Sequence, residues 1–411
     1  MHGESQLPRG LRGFQGKARA QVRLTVPDPT TVRAFLAESH VALAARAAGY
    51  AAREIAPLPE PADDAAARAQ ARDLLAQLGQ AGWFAPIADQ DLRAACLVRE
   101  ALAGASPLAD AVFALQALGT VPILLAGARE LKDRWLPAVL AGRAMASFAM
   151  TEPEAGTDAA AIATAARRDG NDYVLTGMKT LISNAGIADF YTVFASTDRT
   201  KGNKGISAFV VPADTPGLRF VGPLVLSAPH PLGEIAFADC RVPASSRLGA
   251  EGEGFKLGLA TLDRLRATVA AAACGMAARA LHEAVAHATR RRQFGHTLGE
   301  FQLIQEKLAR MATDLTAARL LTYRAAWEKD RGAERVTLEA AMAKAFATEA
   351  AQRIVDDAVQ ILGGRGVLAS HPVDRLYRAV RALRIYEGTT EIQHLIVAGE
   401  LLKRAGGGGA A

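Results

Sequence analysis

Apolar positions recur at helical spacing from about Thr30 to Leu140, most clearly in Ala71–Leu78 and Leu92–Leu102, with breaks at Pro57, Pro59, Pro61 and Pro107. A helical N-terminal domain is predicted over 24–145. Between Ala146 and Pro243 the pattern changes to short apolar or alternating runs, Tyr173–Thr176, Phe190–Ala195, Ile206–Val211 and Glu234–Phe237, set apart by turn signals such as Asp169-Gly170-Asn171 and Lys201-Gly202-Asn203. These runs predict a small all-β domain over 146–245. Long helical periodicity returns in Phe255–Arg290, Phe301–Arg331, Thr337–Leu362 and Thr390–Arg404, predicting an antiparallel four-helix bundle over 246–404. The expected architecture is therefore an α+β multidomain protein.

The chain has 411 residues, 50% of them hydrophobic and 22% charged, which excludes a disulfide miniprotein, a fibre and a disordered chain. Cys96, Cys240 and Cys274 are far apart and form no CxxC pair, so neither a disulfide framework nor a structural zinc site is expected, and a reducing compartment is. The uncharged run Ala111–Ala128 is interrupted by Gln116, Thr120 and Pro122 and bracketed by Asp110, Arg129 and Glu130. It reads as a buried helix and a turn rather than a membrane span.

A net charge of +6 would suit an acidic partner such as nucleic acid, a membrane surface or a phosphate-rich ligand. Its placement changes that reading: Arg9, Arg12, Lys17, Arg19 and Arg23 face Glu4 alone within residues 1–23, which are expected to form a disordered basic arm. The arm lacks the apolar segment of a secretory signal, although its Arg-rich composition also suits an organelle transit peptide. The expected location is cytoplasmic, or the mitochondrial matrix if the arm is a transit peptide. Residues 405–411 read as a Gly/Ala tail with nothing to pack.

Strong local signatures of common enzyme classes are missing: GxxxxGK[ST], HExxH, GxSxG and a strand-to-helix GxGxxG do not occur. The eight histidines are scattered, so no metal site is expected, and His282 and His287 are placed on a helix surface. Unusual segments do stand at the seams between the predicted domains. They are Phe148-Ala149-Met150-Thr151-Glu152-Pro153-Glu154-Ala155-Gly156-Thr157-Asp158, Gly177-Met178-Lys179-Thr180-Leu181-Ile182-Ser183-Asn184-Ala185, Leu262-Asp263-Arg264-Leu265-Arg266 and Arg291-Arg292-Gln293-Phe294-Gly295 leading to Phe301-Gln302. Later come Gln360-Ile361-Leu362-Gly363-Gly364-Arg365-Gly366 and Ile385-Tyr386-Glu387-Gly388-Thr389-Thr390-Glu391-Ile392-Gln393. Small residues beside hydroxyls and exposed backbone amides suit loops lying against a planar or phosphorylated ligand.

Taken in this order, the segments resemble the acyl-CoA dehydrogenase family of flavoproteins from about Leu118 to Leu402, and Gly127, Leu131-Lys132, Leu136-Pro137 and Gly142 add to the resemblance. It implies an N-terminal helical domain, a middle β-barrel-like domain and a C-terminal four-helix bundle, the order already given by periodicity. It further implies FAD as cofactor and conversion of an acyl-CoA to a trans-2-enoyl-CoA. Glu387 would remove the α-proton while the β-hydrogen leaves as hydride to flavin N5, with electrons passing to an electron-transfer flavoprotein. A base for so weak an acid must be dry, close and aimed. Burial would raise the Glu387 pKa, and the N–H groups of a helix opening at Thr389 or Thr390 would lower it. Some relatives carry the base just before the arginine matching Arg266; Leu265 stands there and cannot accept a proton.

For FAD the resemblance implies Phe148, Met150, Thr151, Gly156, Thr157, Leu181 and Ser183 around the ring. It implies Arg291, Phe294, Gln302, Gln360, Gly363 and Gly364 at the adenine diphosphate end of a flavin held mainly by a neighbouring subunit, with Thr389 and Glu391 closing over the ring. The same resemblance implies Thr157, Asp263, Arg266 and Gly388 for substrate, although Asp263 and Arg266 also have the spacing of an intrahelical pair. A homo-oligomer, a dimer or a dimer of dimers, is therefore expected.

Three positions depart from the family pattern. Leu181 replaces a frequent tryptophan, Gly399 a frequent arginine, and Trp83-Phe84-Ala85-Pro86-Ile87 a Pro/Gly-rich segment lining the cavity. Arg375, Arg378, Arg381 and Arg384 form a basic stripe read as a solvated or subunit-facing surface, with a CoA-phosphate or docking role as the alternative. Leu181 keeps open an acyl-CoA oxidase or flavin monooxygenase on the same fold. A DNA-associated flavoprotein is a further alternative, which would call for a basic C-terminal face.

Overall fold

A computed structural model describes residues 26–406, so the predicted basic arm and residues 407–411 of the predicted tail lie outside the described residues. Six helices come first: α1 (Glu38–Tyr50), α2 (Asp64–Gln80), α3 (Ala85–Asp89), α4 (Leu92–Ala105), α5 (Pro107–Ala126) and α6 (Arg129–Leu140). Their starts are written in the sequence. Asp63, Asp91 and Ser106 accept from the backbone N–H of Ala66, Ala94 and Ala109, and Pro107 occupies the first turn of α5, where no N–H is needed.

The uncharged run Ala111–Ala128, expected to be a buried helix and a turn, forms the greater part of α5, which runs through Pro122 to Ala126 and ends at Gly127, packed by neighbouring helices and strand β1. Trp83, Phe84 and Ile87 are buried in the N-terminal core, so this segment fills the domain with apolar surface.

Eight strands follow, β1 (Ala146–Ala149), β2 (Ala165–Asp169), β3 (Asp172–Ser183), β4 (Phe190–Ser196), β5 (Ile206–Pro212), β6 (Leu218–Pro223), β7 (Leu232–Pro243) and β8 (Arg247–Leu248). They form one sheet in the order β6-β7-β3-β2-β4-β5-β8, with β1 parallel to β4. The unbroken apolar run of β4 has a physical reason, since both of its faces are covered. Phe190 and Phe194 pack toward α6 with Leu131 and Trp135, while Tyr191, Val193 and Ala195 join Phe209 and Ile235 in a second cluster. Strands β1, β2, β6 and β8 escape periodicity because they are short, polar or exposed; β6 buries none of its residues.

The third part contains α7 (Gly254–Ala288), α8 (Gln302–Asp330), α9 (Thr337–Leu362), α10 (Pro372–Leu383) and α11 (Thr390–Gly406), with a small hairpin of β9 (Arg292–Gln293) and β10 (His296–Thr297) between α7 and α8. Helix α10 is an addition to the expected four, and its buried face is Val373, Leu376, Ala379, Val380 and Leu383. It also corrects the reading of the basic stripe. Arg375 and Arg378 pair with Glu60, and Arg384 pairs with Glu349, so three of the four arginines are held by carboxylates of this chain.

Helix α7 lies at the centre, flanked by α4, α5, α8 and α9. Its run Ala267–Ala273 is buried throughout, and the small side chains allow neighbouring backbones to come close. At Gly275 a Cβ would overlap the carbonyl oxygen of Glu100 on α4. Gly275→Ala is therefore expected to cost about 1–3 kcal/mol through overpacking, read as a lower thermal midpoint. An unchanged midpoint would show that the two helices can separate without penalty.

Candidate active site

The segment 384–390 links α10 to α11, and its conformation is unusual. Glu387 has φ of 56° and Gly388 has φ of 94°. A left-handed glutamate costs of order 1–3 kcal/mol and persists only where its surroundings over-determine it. The surroundings are visible: Arg266 Nε of α7 donates to the Glu387 carbonyl at 3.3 Å, and Gln393 Nε2 of α11 donates to the carbonyls of Glu387 at 3.3 Å and Gly388 at 3.0 Å. Lys344 Nζ of α9 donates to the carbonyls of Tyr386 at 2.9 Å and Gly388 at 2.6 Å. A Cβ at residue 388 would lie 2.5 Å from Gln393 Nε2, so the glycine is required for close approach as well as for its backbone angle.

Three buried polar atoms in this cluster lack a hydrogen-bond partner: Glu387 Oε2, Gln393 Oε1 and Asp263 Oδ1. The nearest cation to Asp263 Oδ1 is Arg266, at 3.8 Å, too long for a hydrogen bond. Buried polar atoms are normally satisfied, so three orphans around one turn mark a place prepared for a ligand.

Burial pushes the Glu387 carboxyl above its ordinary value, opposed by Arg99, Lys344 and Arg266 and assisted by Asp110. Of the two opposed effects expected from sequence, burial prevails. The opposition comes from side-chain cations of α4, α9 and α7. Arg99 and Lys344 escape sequence reasoning because they sit in ordinary helical patterns far from Glu387 in the chain. Arg99 is 2% exposed, bound bidentately to Asp110 through Nε and Nη2 at 2.7 and 2.8 Å and to Thr268 Oγ1 through Nη1 at 2.8 Å. Leu265 is buried in the N-terminal core cluster.

A second group of predicted residues meets beside the β domain. Thr180 N donates to Thr151 O at 3.0 Å, and Ser147 Oγ donates to Ser183 O at 2.7 Å, bringing Phe148, Met150 and Thr151 next to Leu181 and Ser183. Lys179, fully buried, holds this loop from beneath, donating to Met150 O at 3.0 Å and Glu152 at 2.7 Å. Burial pulls its ammonium down to about 8 against the attraction of Glu152. Gly156 and Thr157 are exposed, a Cβ at Gly156 would meet nothing, and Leu181 is 56% exposed in a left-handed conformation. Ser183 Oγ lies 2.7 Å from Nε2 of His230, whose pKa burial and Arg68 lower to about 4, so the imidazole is neutral near pH 7.

The third group is not brought to this place within the chain. Arg291, Phe294 and Gln302 lie beyond the C-terminal end of α7, where Phe294 is 90% exposed, while Gly258 near the other end packs against Met150. The helix between them spans ~45 Å at 1.5 Å per residue. Gln360, Gly363 and Gly364 are likewise exposed, at the end of α9, and a Cβ at either glycine would meet open space. Thr389 and Glu391 stand at the opening of α11, with Glu391 exposed.

The sequence matches the acyl-CoA dehydrogenase N-terminal domain over residues 37–143, the middle domain over 147–240 and the C-terminal domain over 252–402. It is 40% identical to a probable acyl-CoA dehydrogenase, fadE25, of Mycobacterium leprae, over 90% of this chain and 96% of that one. It is also 40% identical to a 3-(aryl)acrylate reductase of Clostridium sporogenes, over 90% of this chain and all of that one. The fold matches a glutaryl-CoA dehydrogenase of Mycobacterium smegmatis in complex with FADH2 with a TM-score of 0.83 and 28% identity, covering 90% of this chain and 96% of that one. With all three domains present in order, the chain belongs to the acyl-CoA dehydrogenase family of oxidoreductases.

Proposed function

We propose that this protein converts an acyl-CoA to a trans-2-enoyl-CoA, with Glu387 taking the α-proton. The observation carrying this reading is the convergence of orphaned polar atoms on a carboxyl whose proton affinity burial has raised. Such a carboxylate is a stronger base than one in water, and a left-handed turn fixed from three helices limits where it can reach. Asp263 and Arg266 would hold the thioester and pantetheine region, together with Thr157 and the Gly388 backbone.

The residues beside the β domain would hold an FAD ring: the bonds from Thr180 to Thr151 and from Ser147 to Ser183 bring Phe148, Met150 and Thr151 beside Ser183, and Gly156 leaves open space that a side chain would fill. The chemistry FAD supplies when bound is acceptance of the β-hydrogen as hydride. Leu181, Thr389 and Glu391 would flank the ring. The open space over Gly363 and Gly364, with Arg291, Phe294, Gln302 and Gln360, suits the adenine diphosphate end. Because α7 separates the two groups, a second copy of the chain would have to supply the latter, which favours a homo-oligomer.

An electron-transfer flavoprotein is the expected acceptor. Direct use of oxygen, as in an acyl-CoA oxidase or flavin monooxygenase, is the second reading, favoured by the exposure of Leu181 where a covering tryptophan is frequent. Anaerobic titration with a panel of acyl-CoAs should bleach the flavin absorbance with at least one of them, and no bleaching by any would defeat the proposed reaction. Rapid reoxidation of that reduced enzyme by oxygen alone would favour the second reading.

A further inference from the structure

The geometry points to Lys344 as a positioning residue that ties α9 to the carbonyls on both sides of Glu387 and so holds the base in its left-handed conformation. This inference rests on Glu387 being the base. Lys344 is fully buried, and one ammonium bridges Tyr386 O and Gly388 O, the carbonyls immediately before and after the glutamate. Those two bonds require both carbonyls to face α9, which fixes the intervening residue's backbone and sets the direction of its Cβ.

Five residues farther along the same helix, Glu349 Oε1 accepts from Arg384 Nε and from Thr390 Oγ1, each at 2.7 Å. Helix α9 thus grips the segment at residues 384, 386, 388 and 390. Arg266 and Gln393 complete the hold from α7 and α11. A buried ammonium is an expensive way to tie down a surface-connecting segment, which argues for a task beyond packing. None of the segments that mark the family resemblance includes Lys344 or Glu349.

Electrostatics adds a distinguishing signature. Charges facing the Glu387 carboxyl are Arg99 from α4, Asp110 from α5, Arg266 from α7 and Lys344 from α9. Those facing Lys344 are Glu387, Arg266, Glu349 and Glu391. Burial pulls the Lys344 ammonium down to about 8, partly restored by Glu387, so it is charged at neutral pH. A cation beside a carboxylate favours ionisation; its removal raises the proton affinity of the base, and activity that needs the anion must begin at higher pH.

The test compares Lys344→Met and Lys344→Arg as flavin-loaded proteins. In Lys344→Met we expect a loss of roughly 10- to 100-fold, carried by kcat rather than KM, from misplacement of the base. The acid limb of kcat/KM should move to higher pH, and amide exchange over residues 384–393 should quicken. Lys344→Arg keeps the charge but cannot place one nitrogen between both carbonyls, so its acid limb should stay put while kcat falls and exchange quickens. An unmoved acid limb and unchanged exchange in Lys344→Met would overturn the inference. If that variant does not fold with flavin, wild-type kcat and exchange in Lys344→Arg would overturn it instead. Glu387→Gln run in parallel separates the two readings: near-normal turnover there removes the base assignment, while the exchange data still decide whether Lys344 holds the turn.

Discussion

Glu387→Gln is expected to lower turnover by about a hundredfold to ten-thousandfold, the usual worth of a general base, while flavin and acyl-CoA binding persist. Glutamine keeps the shape of the side chain and can occupy the same left-handed turn, so the loss would report the missing base and not a displaced loop. The same substitution should raise stability at neutral and alkaline pH. The Glu387 carboxyl is held above its ordinary value of 4.5, chiefly by burial. The folded protein therefore binds this proton more tightly than the unfolded chain. Stability from the protonated group is fully present below the ordinary value and is lost as pH rises through the folded one. Glutamine carries no such pH-dependent cost. Its thermal midpoint should exceed that of the wild type above that window, and the excess should disappear as pH falls toward 4.5. Near-normal turnover would remove Glu387 from the reaction, and a lower midpoint at pH 8 would show that the ionised carboxylate is favourably paired.

Much of this was legible along the chain because long buried helices write their period plainly. Helix α9 occupies Thr337–Leu362, the predicted range, and α7 departs from its predicted range by one residue at the start and two at the end. Helix α10 was less visible because its outward face is an arginine stripe. Three of those arginines meet Glu60 or Glu349, residues distant in sequence, so a charge pattern that looked solvated is largely internal pairing. Periodicity also cannot distinguish the buried polar residues that serve the site from ordinary helix-surface residues. Arg99 lies within Leu92–Ala105 and Lys344 within the Ala-rich run of α9, and only the crossing of α4, α5, α7 and α9 brings both near Glu387. The residues proposed to face the flavin stand in marked segments, and so does Lys179, which holds Met150, whereas His230, beside Ser183, belongs to loop sequence that carries no such mark.

Asp110→Ala should be the most damaging of the substitutions away from Glu387, destabilising the protein by about 3–5 kcal/mol. Asp110 is 2% exposed and occupied by two hydrogen bonds from Arg99, itself sealed between α4, α5 and α7. Burial works against the Arg99 cation, but Asp110 more than compensates and holds its pKa above the ordinary value. Removal of the carboxylate leaves that charge without its partner, so the double variant Asp110→Ala/Arg99→Met should recover part of the loss. The two single changes also predict opposite effects on Glu387. Asp110 raises its proton affinity and Arg99 lowers it. In Asp110→Ala the acid limb of kcat/KM should therefore move to lower pH, and in Arg99→Met to higher pH. Thermal melts of the flavin-loaded variants and their pH profiles measure the two effects separately. Equal melting of Asp110→Ala and wild type would show that the ion pair is dispensable, and limbs that move in the same direction would show that neither charge acts on the base. The Arg99–Asp110 pair joins α4 to α5 and reaches α7 through Thr268, so it would couple the docking of the first domain to the ionisation of Glu387, because separating those elements would readmit water to Arg99 and Glu387 together.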